Sequence, residues 1–220
     1  MKVIDIQQWD RKVPFENFIK YTNPIFSLST RLDVTQLYDY CRKTKTSFFA
    51  NFLFAAVSVL NEIEEFRLRI ADDKVVLYDS IDPNYIVLTN KNVIQTCRSK
   101  MTSDYKKFYD GVRRDIEAAK NGQNAGKTFN AAKENDCYYI SCLPWVDLQS
   151  MSNPYDLKDK ESSSIPRLTW GKFVDENGRK KMFMDIAAHH ALMDGEPVCR
   201  AFVNLQKELD DIDMFLKKHS

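Results

Sequence analysis

The sequence has no excess of either charge and no long apolar segment. Its 220 residues include 32 lysines and arginines against 31 aspartates and glutamates, so the formal net charge is +1. A surface this balanced has no field to attract nucleic acid or an anionic membrane. The longest apolar run, residues 48–60, is interrupted by Asn51 and Ser58 and is too short to span a bilayer. We therefore expect partners to be small molecules or copies of the chain itself.

Signals for secretion, disulfides and zinc are also lacking. Residues 1–10 contain no basic segment followed by an apolar stretch, so no signal peptide is indicated. The five cysteines are an odd number without the spacing of a disulfide framework, which is typical of buried thiols in a reducing compartment. A cysteine nucleophile is the rarer alternative. There is no HExxH or paired CxxC pattern, and these absences together predict a cytoplasmic protein without a metal.

The length and composition predict one domain over residues 1–220. With 44% hydrophobic residues the chain is long enough for one substantial core and short for two. Strand-like and helix-like patterns alternate along it, with hairpins among them, and no internal repeat is evident. This order predicts an α/β fold with a mixed β-sheet.

Four helix starts are indicated by capping chemistry and apolar periodicity. Asp33 is the predicted N-cap of the first helix, with Gln36 completing a capping box. Ser47 begins a second helix whose apolar residues cover most of its surface, so this helix is predicted to be buried. A third helix begins near Ser103, and a fourth has Pro197 in its first turn.

The strands are indicated by alternating or continuous apolar patterns between turn signals. The predicted strands are residues 66–71, 75–79, 84–89, 138–143, 167–174 and 181–190. Residues 121–130 and 150–164 are predicted to be surface loops. The last two strands flank the turn signal at residues 175–178 and form a long hairpin, which delivers His190 to its far end.

The segment His189–Gly195 reads HHALMDG and contains two of the chain's three histidines. An imidazole accepts a proton near neutral pH, so a histidine at a strand end is a natural general base. Adjacent strand residues point to opposite faces, so His189 and His190 cannot both line one pocket. The same geometry argues against a zinc site built on this pair. A buried structural pair at a strand end is the alternative.

This H-H-x-x-x-D-G pattern resembles the signature of the type A chloramphenicol acetyltransferases, of the CoA-dependent acyltransferase superfamily, and more loosely that of dihydrolipoyl acyltransferase cores. Further segments similar to the first family follow the same order along nearly the whole chain: Trp9–Lys12, Phe26–Thr35, Phe66–Arg69, Asp79–Pro83 and Ile140–Trp145. The resemblance implies a two-layer sandwich with a mixed sheet and a homotrimer with active sites between subunits. It also implies acetyl-CoA as co-substrate, no metal or prosthetic group, and O-acetylation of chloramphenicol.

Three residues match the catalytic positions of that family. By this match His190 deprotonates the acceptor hydroxyl, Ser141 donates a hydrogen bond to the oxyanion, and Thr169 holds a water near the same oxyanion. Without the match, Ser141 is more simply a core hydroxyl satisfied by backbone, and Thr169 an ordinary β-branched strand residue.

The resemblance also implies residues that support the site and bind the coenzyme. By this resemblance, Arg11 and Asp194 are expected to form a buried ion pair that braces the turn after the base, and a backbone carbonyl is expected to hold the other nitrogen of His190. Lys172 and Phe173 match a pair near the coenzyme, where the aromatic ring stacks on adenine. The alternatives are a solvated charge at Arg11 and a core aromatic at Phe173.

The predicted acceptor pocket departs from the family pattern. Phe18 replaces a tyrosine, Ile86 a threonine, Gln95 a phenylalanine and Tyr139 an asparagine, whereas Phe26 retains an aromatic wall. The catalytic set is therefore intact while the pocket is altered. Two functions remain as alternatives to chloramphenicol acetylation: acetylation of another hydroxyl compound, and a non-catalytic binding role. A dihydrolipoyl acyltransferase core is disfavoured, because those chains usually carry lipoyl domains and linkers.

Overall fold

The computed structural model describes residues 1–123 and 135–220. Its helices are α1 (Lys12–Phe18), α2 (Thr35–Thr44), α3 (Phe48–Glu62), α4 (Tyr105–Lys120), α5 (Lys160–Ser163), α6 (Gly195–Asp210) and α7 (Ile212–Lys218). Its strands are β1 (Lys2–Val3), β2 (Ile25–Asp33), β3 (Leu68–Ala71), β4 (Lys74–Leu77), β5 (Asp82–Leu88), β6 (Ile94–Arg98), β7 (Cys137–Leu143), β8 (Arg167–Glu176) and β9 (Arg179–His189). The predicted loop at 121–130 lies outside the described residues beyond residue 123.

The main sheet of the described chain has six strands in the order β2-β9-β8-β7-β5-β6. The β5–β7 and β7–β8 pairs are parallel and the remaining pairs are antiparallel, so the prediction of a mixed sheet is confirmed. Strands β1, β4 and β3 form a small separate sheet. The predicted hairpins correspond to β3–β4 and to β8–β9.

Helix α3 is the centre of the helical layer. Ser47 caps it by accepting a hydrogen bond from the Ala50 N–H, as predicted, and residues 50–60 are all buried. The Phe52 ring lies 4.9 Å from the Trp170 ring of β8. Since an apolar helix surface this wide must be covered on all sides, α3 packs between the sheet and its neighbours α2, α4 and α6.

The opposite face of the sheet carries a row of polar side chains. Trp170 points toward α3, so its neighbour Thr169 points away from it. Thr169 pairs directly with Ser141 on β7 and with Asp185 on β9, and Asp185 pairs with Ser29 on β2. Cross-strand partners share one face of a sheet, so these four side chains, Ser29, Asp185, Thr169 and Ser141, form a polar row across four strands.

The predicted capping box at the first helix is wrong. Asp33 is the last residue of β2, where it pairs with Lys181, and α2 begins at Thr35 after Val34. The Asp33 carboxylate instead accepts hydrogen bonds from the backbone and hydroxyl of Thr35, while Gln36 is exposed. Pairing with β9 keeps the backbone extended through Asp33, which overrides the local preference for a helix cap.

Two further expectations need correction. The predicted loop at 150–164 ends in the short helix α5, where Ser163 and Ser164 are buried. Cys199 is exposed on α6, whereas the sequence predicts buried thiols. In both cases the position of a helix relative to the core decides which side chains are buried. The amino-acid composition of the segment does not predict that position.

Two features are absent from residues 1–123 and 135–220. No helix there combines the length and apolarity needed to cross a bilayer. No group of three or more histidine, cysteine, aspartate or glutamate side chains there is arranged to hold a metal ion.

Gly171 allows the segment after β7 to lie directly against β8. A Cβ atom at this position would meet Leu148 N and Val146 O, both at 3.1 Å, and Leu148 Cγ at 3.0 Å. The same approach brings the Lys172 N–H to 2.9 Å from Val146 O. Contact with backbone atoms cannot be relieved by rotating a side chain, so the small side chain is required here.

We expect Gly171→Ala to lower the free energy of unfolding by about 1–3 kcal/mol, because the new methyl group forces the two segments apart. Gly111→Ala is the matched control. Gly111 is inside α4 and its added Cβ would meet only Arg114 Nη2 at 3.7 Å, so this change should stabilise the protein by about 0.5–1 kcal/mol. Urea unfolding of both variants measures the difference. Equal free energies of unfolding for the two variants would show that the 146–148 segment can move away from β8 at no cost in stability.

Candidate active site

His190 lies where the sheet ends and the chain turns toward α6. The pairing of β9 with β2 continues to His189 opposite Ile25, and the His190 N–H then donates to Pro24 O at 2.8 Å. The Leu192 N–H donates back to His189 O and closes a turn. His190 is therefore held by backbone on two sides, and its side chain remains 31% exposed.

His189 has a different environment. It is 2% exposed, and its Nδ1 accepts a hydrogen bond from the Ala191 N–H at 3.2 Å. Burial above all, with the nearby His190 and Lys160, lowers the pKa of His189 to about 4. A neutral imidazole with Nδ1 already occupied is suited to holding the turn, which leaves His190 as the accessible imidazole of the pair.

Aromatic rings hold the imidazole of His190. The Phe18 ring is stacked on it with a centroid separation of 3.9 Å and an interplanar angle of 11°. The Phe26 ring lies 4.7 Å away on a tilt. Two of the predicted acceptor-pocket residues therefore contact the predicted base, and Phe18 fixes the plane of its ring.

The other nitrogen of His190 is not held as the resemblance implies. Nδ1 lies 3.2 Å from Asp194 Oδ1, but it has no hydrogen-bond partner among the described residues, whether carboxylate or backbone carbonyl. The His190 carbonyl oxygen is taken by Arg11, whose Nη2 donates to it at 2.6 Å. The group near His190 Nδ1 is therefore the Asp194 carboxylate and not the expected backbone carbonyl.

Arg11 binds the turn after β9 at three points. It forms a two-bond ion pair with Asp194, in which Nη2 lies 2.8 Å from Oδ1 and Nη1 contacts Oδ2, and it also donates to His190 O and Ala191 O. The Arg11 side chain is only 15% exposed, but that of Asp194 is 51% exposed. The ion pair is therefore partly exposed, not buried as expected. The Arg11 guanidinium lowers the pKa of Asp194.

We expect Arg11→Ala to destabilise the protein by about 1–3 kcal/mol, because two backbone carbonyls and a carboxylate lose their donor. Activity should fall as well, since the turn that carries His190 loosens. Arg11→Lys keeps the charge but not the planar fork, and it should recover only part of the stability. Thermal unfolding of Arg11→Ala, Asp194→Asn and the double variant tests the pair. Strictly additive losses would mean that the two side chains do not interact.

Ser141 and Thr169 lie side by side in the parallel pair β7–β8. Thr169 is fully buried, and its Oγ1 has no hydrogen-bond partner among the described residues. Ser141 is partly exposed and lines a cavity of about 690 Å³. A buried hydroxyl without a protein partner is satisfied by water or ligand, so this part of the polar row is suited to binding a solvent-supplied or substrate group.

The same cavity brings together residues that the sequence alone does not connect. It lies between the ends of β5, β7 and β8 and the helices α3 and α4, and Ile86, Lys172 and Phe173 line it as well as Ser141. Three cationic side chains surround it: Arg113, Lys120 and Lys172. Arg113 and Lys120 were not candidates from sequence, because helical spacing on α4 does not reveal which side faces the cavity.

Phe173 is partly buried between aromatic neighbours. Its ring lies 5.3 Å from both the Tyr38 and the Phe48 rings.

Two of the predicted acceptor-pocket residues lie away from the cavity beside Ser141. Gln95 is buried on β6, and Tyr139 lies beside Arg167 on the sheet, with 5.6 Å between its ring and the guanidinium carbon. Neither lines this cavity.

His190 and Ser141 are far apart within one chain. His190 is five positions beyond Asp185, which pairs with Thr169, so it lies about 17 Å farther along the sheet at about 3.3 Å per residue. Ser141 lies on β7, which is one strand farther from β9 than the Thr169 strand β8. The two side chains therefore cannot contact the same reacting atom in a single subunit.

Comparison with known proteins gives one family. A family model described as chloramphenicol acetyltransferase matches residues 1–206. A chloramphenicol acetyltransferase of Campylobacter coli is 26% identical over 209 residues, which covers 94% of this chain and 97% of the relative. One from Escherichia coli is 27% identical, with 94% and 93% covered.

Solved structures give the same fold. A chloramphenicol acetyltransferase structure superposes with a TM-score of 0.83 at 26% identity, covering 94% of this chain and 99% of the other. A dihydrolipoamide acetyltransferase of Azotobacter vinelandii superposes with a TM-score of 0.70 at 13% identity, covering 93% and 88%. The second likeness concerns the fold alone.

Proposed function

Because the chain belongs to the chloramphenicol acetyltransferase family and is an acyltransferase, we propose that it transfers the acetyl group of acetyl-CoA to the 3-hydroxyl of chloramphenicol. The observation that carries the proposal is the accessible imidazole of His190, fixed by Phe18 and Arg11 at the end of the sheet. A base held in this way is ready to accept a proton without first being oriented.

In the proposed mechanism His190 removes the proton from the acceptor hydroxyl. Nδ1 is on the Asp194 side, so Nε2 is the nitrogen left to face the acceptor. The hydroxyl oxygen attacks the thioester carbonyl, and Ser141 Oγ donates a hydrogen bond to the oxyanion that forms. Collapse of this intermediate breaks the carbon–sulfur bond, and the CoA thiolate takes the proton back from His190.

Thr169 has a supporting role in this scheme. Its Oγ1 is fully buried and lacks a protein partner among the described residues, directly beside Ser141. We assign it the water that contacts the same oxyanion. A second donor there adds to the stabilisation of the negative charge that develops on the carbonyl oxygen.

We also propose a homotrimer in which His190 of one chain faces Ser141 and Thr169 of the next. The separation of about 17 Å along the sheet within one chain requires some such arrangement if both groups act on one substrate. Large apolar side chains are exposed near Ser141 in the single chain: Trp145 is 67% exposed and Ile94 is 64% exposed. Exposed apolar surface of this kind is typical of an interface.

Acetyl-CoA fits the cavity beside Ser141. The cations Arg113, Lys120 and Lys172 are suited to its phosphates, and the apolar lining is suited to its pantetheine arm. If the thioester lies at the Ser141 end of this cavity, the rest of the coenzyme occupies the cavity. The acceptor then lies between the thioester and His190 of the neighbouring chain. Phe173, partly buried next to Lys172, is the proposed contact for the adenine ring.

The assay that tests the function measures thiol release from acetyl-CoA in the presence of chloramphenicol, with 3-O-acetylchloramphenicol as the blocked control. We expect release that depends on the drug and is absent with the blocked compound. No drug-dependent release from the folded, assembled protein would rule out this acceptor and favour another hydroxyl compound.

A further inference from the structure

Asp185 on β9 lies next to Thr169 within the polar row. The two residues are direct partners in the β8–β9 pair, and Thr169 is in turn the direct partner of Ser141 on β7. Direct cross-strand partners lie on one face of a sheet, with Cβ atoms about 4.5–5.5 Å apart. Asp185 is therefore one strand away from the residue assigned to the oxyanion water, and two strands, about 10 Å, away from Ser141.

Two buried oxygens in this pair lack protein partners. Asp185 is 1% exposed and Thr169 is fully buried. Asp185 Oδ1 accepts a hydrogen bond from Ser29 Oγ at 2.7 Å. Neither Asp185 Oδ2 nor Thr169 Oγ1 has a hydrogen-bond partner within residues 1–123 and 135–220. Buried polar atoms on neighbouring side chains are commonly satisfied by one water that bridges them, so these two oxygens are suited to sharing a water.

The groups that face Asp185 do not neutralise it by direct contact. None of the ion pairs found in the described part of the chain includes Asp185. Strand β2 faces it with serine hydroxyls. Strand β8 faces it with Thr169 and, on the diagonal, with Arg167, whose guanidinium is stacked 3.7 Å from the Tyr155 ring instead. The segment 151–157 adds the Tyr155 phenol, and Tyr155 and Asp185 both line a cavity of about 270 Å³.

A neutral carboxyl group fits this position better than a carboxylate. Burial raises the pKa of Asp185, with the serine hydroxyls of β2 acting against the rise. Burial also raises the pKa of Tyr155 to about 12, so the phenol adds no charge at neutral pH. A negative charge two strands from Ser141 would oppose the oxyanion that forms there. A neutral carboxyl group has a proton to donate, and a buried carboxylic acid can serve as a donor in an oxyanion site.

We propose that Asp185 is a positioning residue for acyl transfer, whose neutral carboxyl group donates a hydrogen bond through one bridging water to Thr169 Oγ1. The inference rests on the proposed function. Thr169 Oγ1 then accepts on the Asp185 side, and its own hydrogen is left to be donated on the Ser141 side, toward the water at the oxyanion. Asp185 acts through Thr169 and does not touch the substrate.

Kinetics with acetyl-CoA and chloramphenicol test the donor. Leucine is of similar size but cannot donate, so Asp185→Leu should lower kcat by about tenfold and change the KM of either substrate less than about twofold. The amide of Asp185→Asn can donate, so this variant should retain kcat within about threefold. As the pH rises and Asp185 ionises, kcat of the native protein should fall, and Asp185→Asn should lose this fall. Asp110→Leu, at an exposed carboxylate on α4, is the control and should keep the native kcat and pH profile.

Two further measurements separate positioning from a purely structural role. Thr169→Val removes the acceptor, so adding Asp185→Leu to it should lower kcat no further. Infrared difference spectra between the native protein and Asp185→Asn at neutral pH should contain the carbonyl band of a protonated carboxyl group. The same difference in the Thr169→Val background should show the band at a shifted frequency. The spectra need no turnover, and they decide the inference if Asp185→Leu does not fold.

Absence of the protonated band, or a kcat that rises in Asp185→Asn, would show that Asp185 is ionised and would overturn the inference. It would equally be overturned if Asp185→Asn and Asp185→Leu lost the same activity, or if Asp185→Leu cost as much in Thr169→Val as in the native protein. A band that shifts in Thr169→Val, with no thiol release from the native protein and any acceptor, would contradict the proposed acyl transfer and support the bond between Asp185 and Thr169.

Discussion

Replacement of His190 by alanine is expected to lower kcat for acetyl transfer by about 10²–10⁴ while leaving a folded protein, because the variant removes a positioned general base. The imidazole is partly exposed and packs only on the Phe18 and Phe26 rings. Losing such contacts costs about 0.5–1.5 kcal/mol, which is small beside the catalytic loss. Steady-state kinetics, with circular dichroism and the assembly state as checks, measures both effects.

His189→Ala is the matched comparison and should behave in the opposite way. His189 is buried and holds the Ala191 N–H, so its removal leaves a cavity and an unsatisfied donor, which costs stability. The folded fraction should retain much more activity than His190→Ala. If both variants lose activity equally while folded and assembled, the assignment of the base to His190 is wrong.

Ser141→Ala should reduce kcat by about 10²–10³ and change the KM of either substrate little, since its hydroxyl acts on the charge that develops in the transition state. Ser80→Ala, at an exposed serine between β4 and β5, is the control and should be silent in kcat. Normal turnover with a raised acceptor KM would reassign Ser141 to substrate positioning.

Mixing the two inactive variants tests whether the groups meet between subunits. Each proposed active site takes His190 from one chain and Ser141 from the next. A site is therefore wholly native when its His190 comes from a Ser141→Ala chain and its Ser141 comes from a His190→Ala chain. Random reassembly of equal amounts makes about a quarter of the interfaces native in this way. We expect activity to return in that proportion after verified subunit exchange. No recovery would place both groups within one chain and contradict the proposed trimer.

Much of the fold follows from local signals in the sequence. Helix α3 is predicted from its apolar surface and from Ser47, because capping and periodicity act within a few residues. The β8–β9 hairpin is predicted from the turn at residues 175–178, which has positive backbone φ angles at Asn177 and Gly178. The resemblance carried by HHALMDG and by the other matching segments identified the family, whose model matches residues 1–206.

Strands β2 and β6 show where local signals are insufficient. β2 alternates Phe26 and Leu28 with Ser27 and Ser29, but its end at Asp33 also reads as a helix cap. Pairing with β9 decides between the two, and pairing partners lie about 150 positions away in sequence. β6 is only five residues long, with no clean alternation, and its existence depends on pairing with β5.

By itself, then, the sequence determined the family, the α/β class and the residue types available for acyl transfer, because these depend on motifs and short-range periodicity. Only the tertiary structure decided which of them meet. Arg11 contacts Asp194 across 183 positions of sequence, and Asp185 lies beside Thr169 only through the register of β8 and β9. The burial of a charge and its separation from a base are consequences of long-range packing, and no local pattern in the chain encodes them.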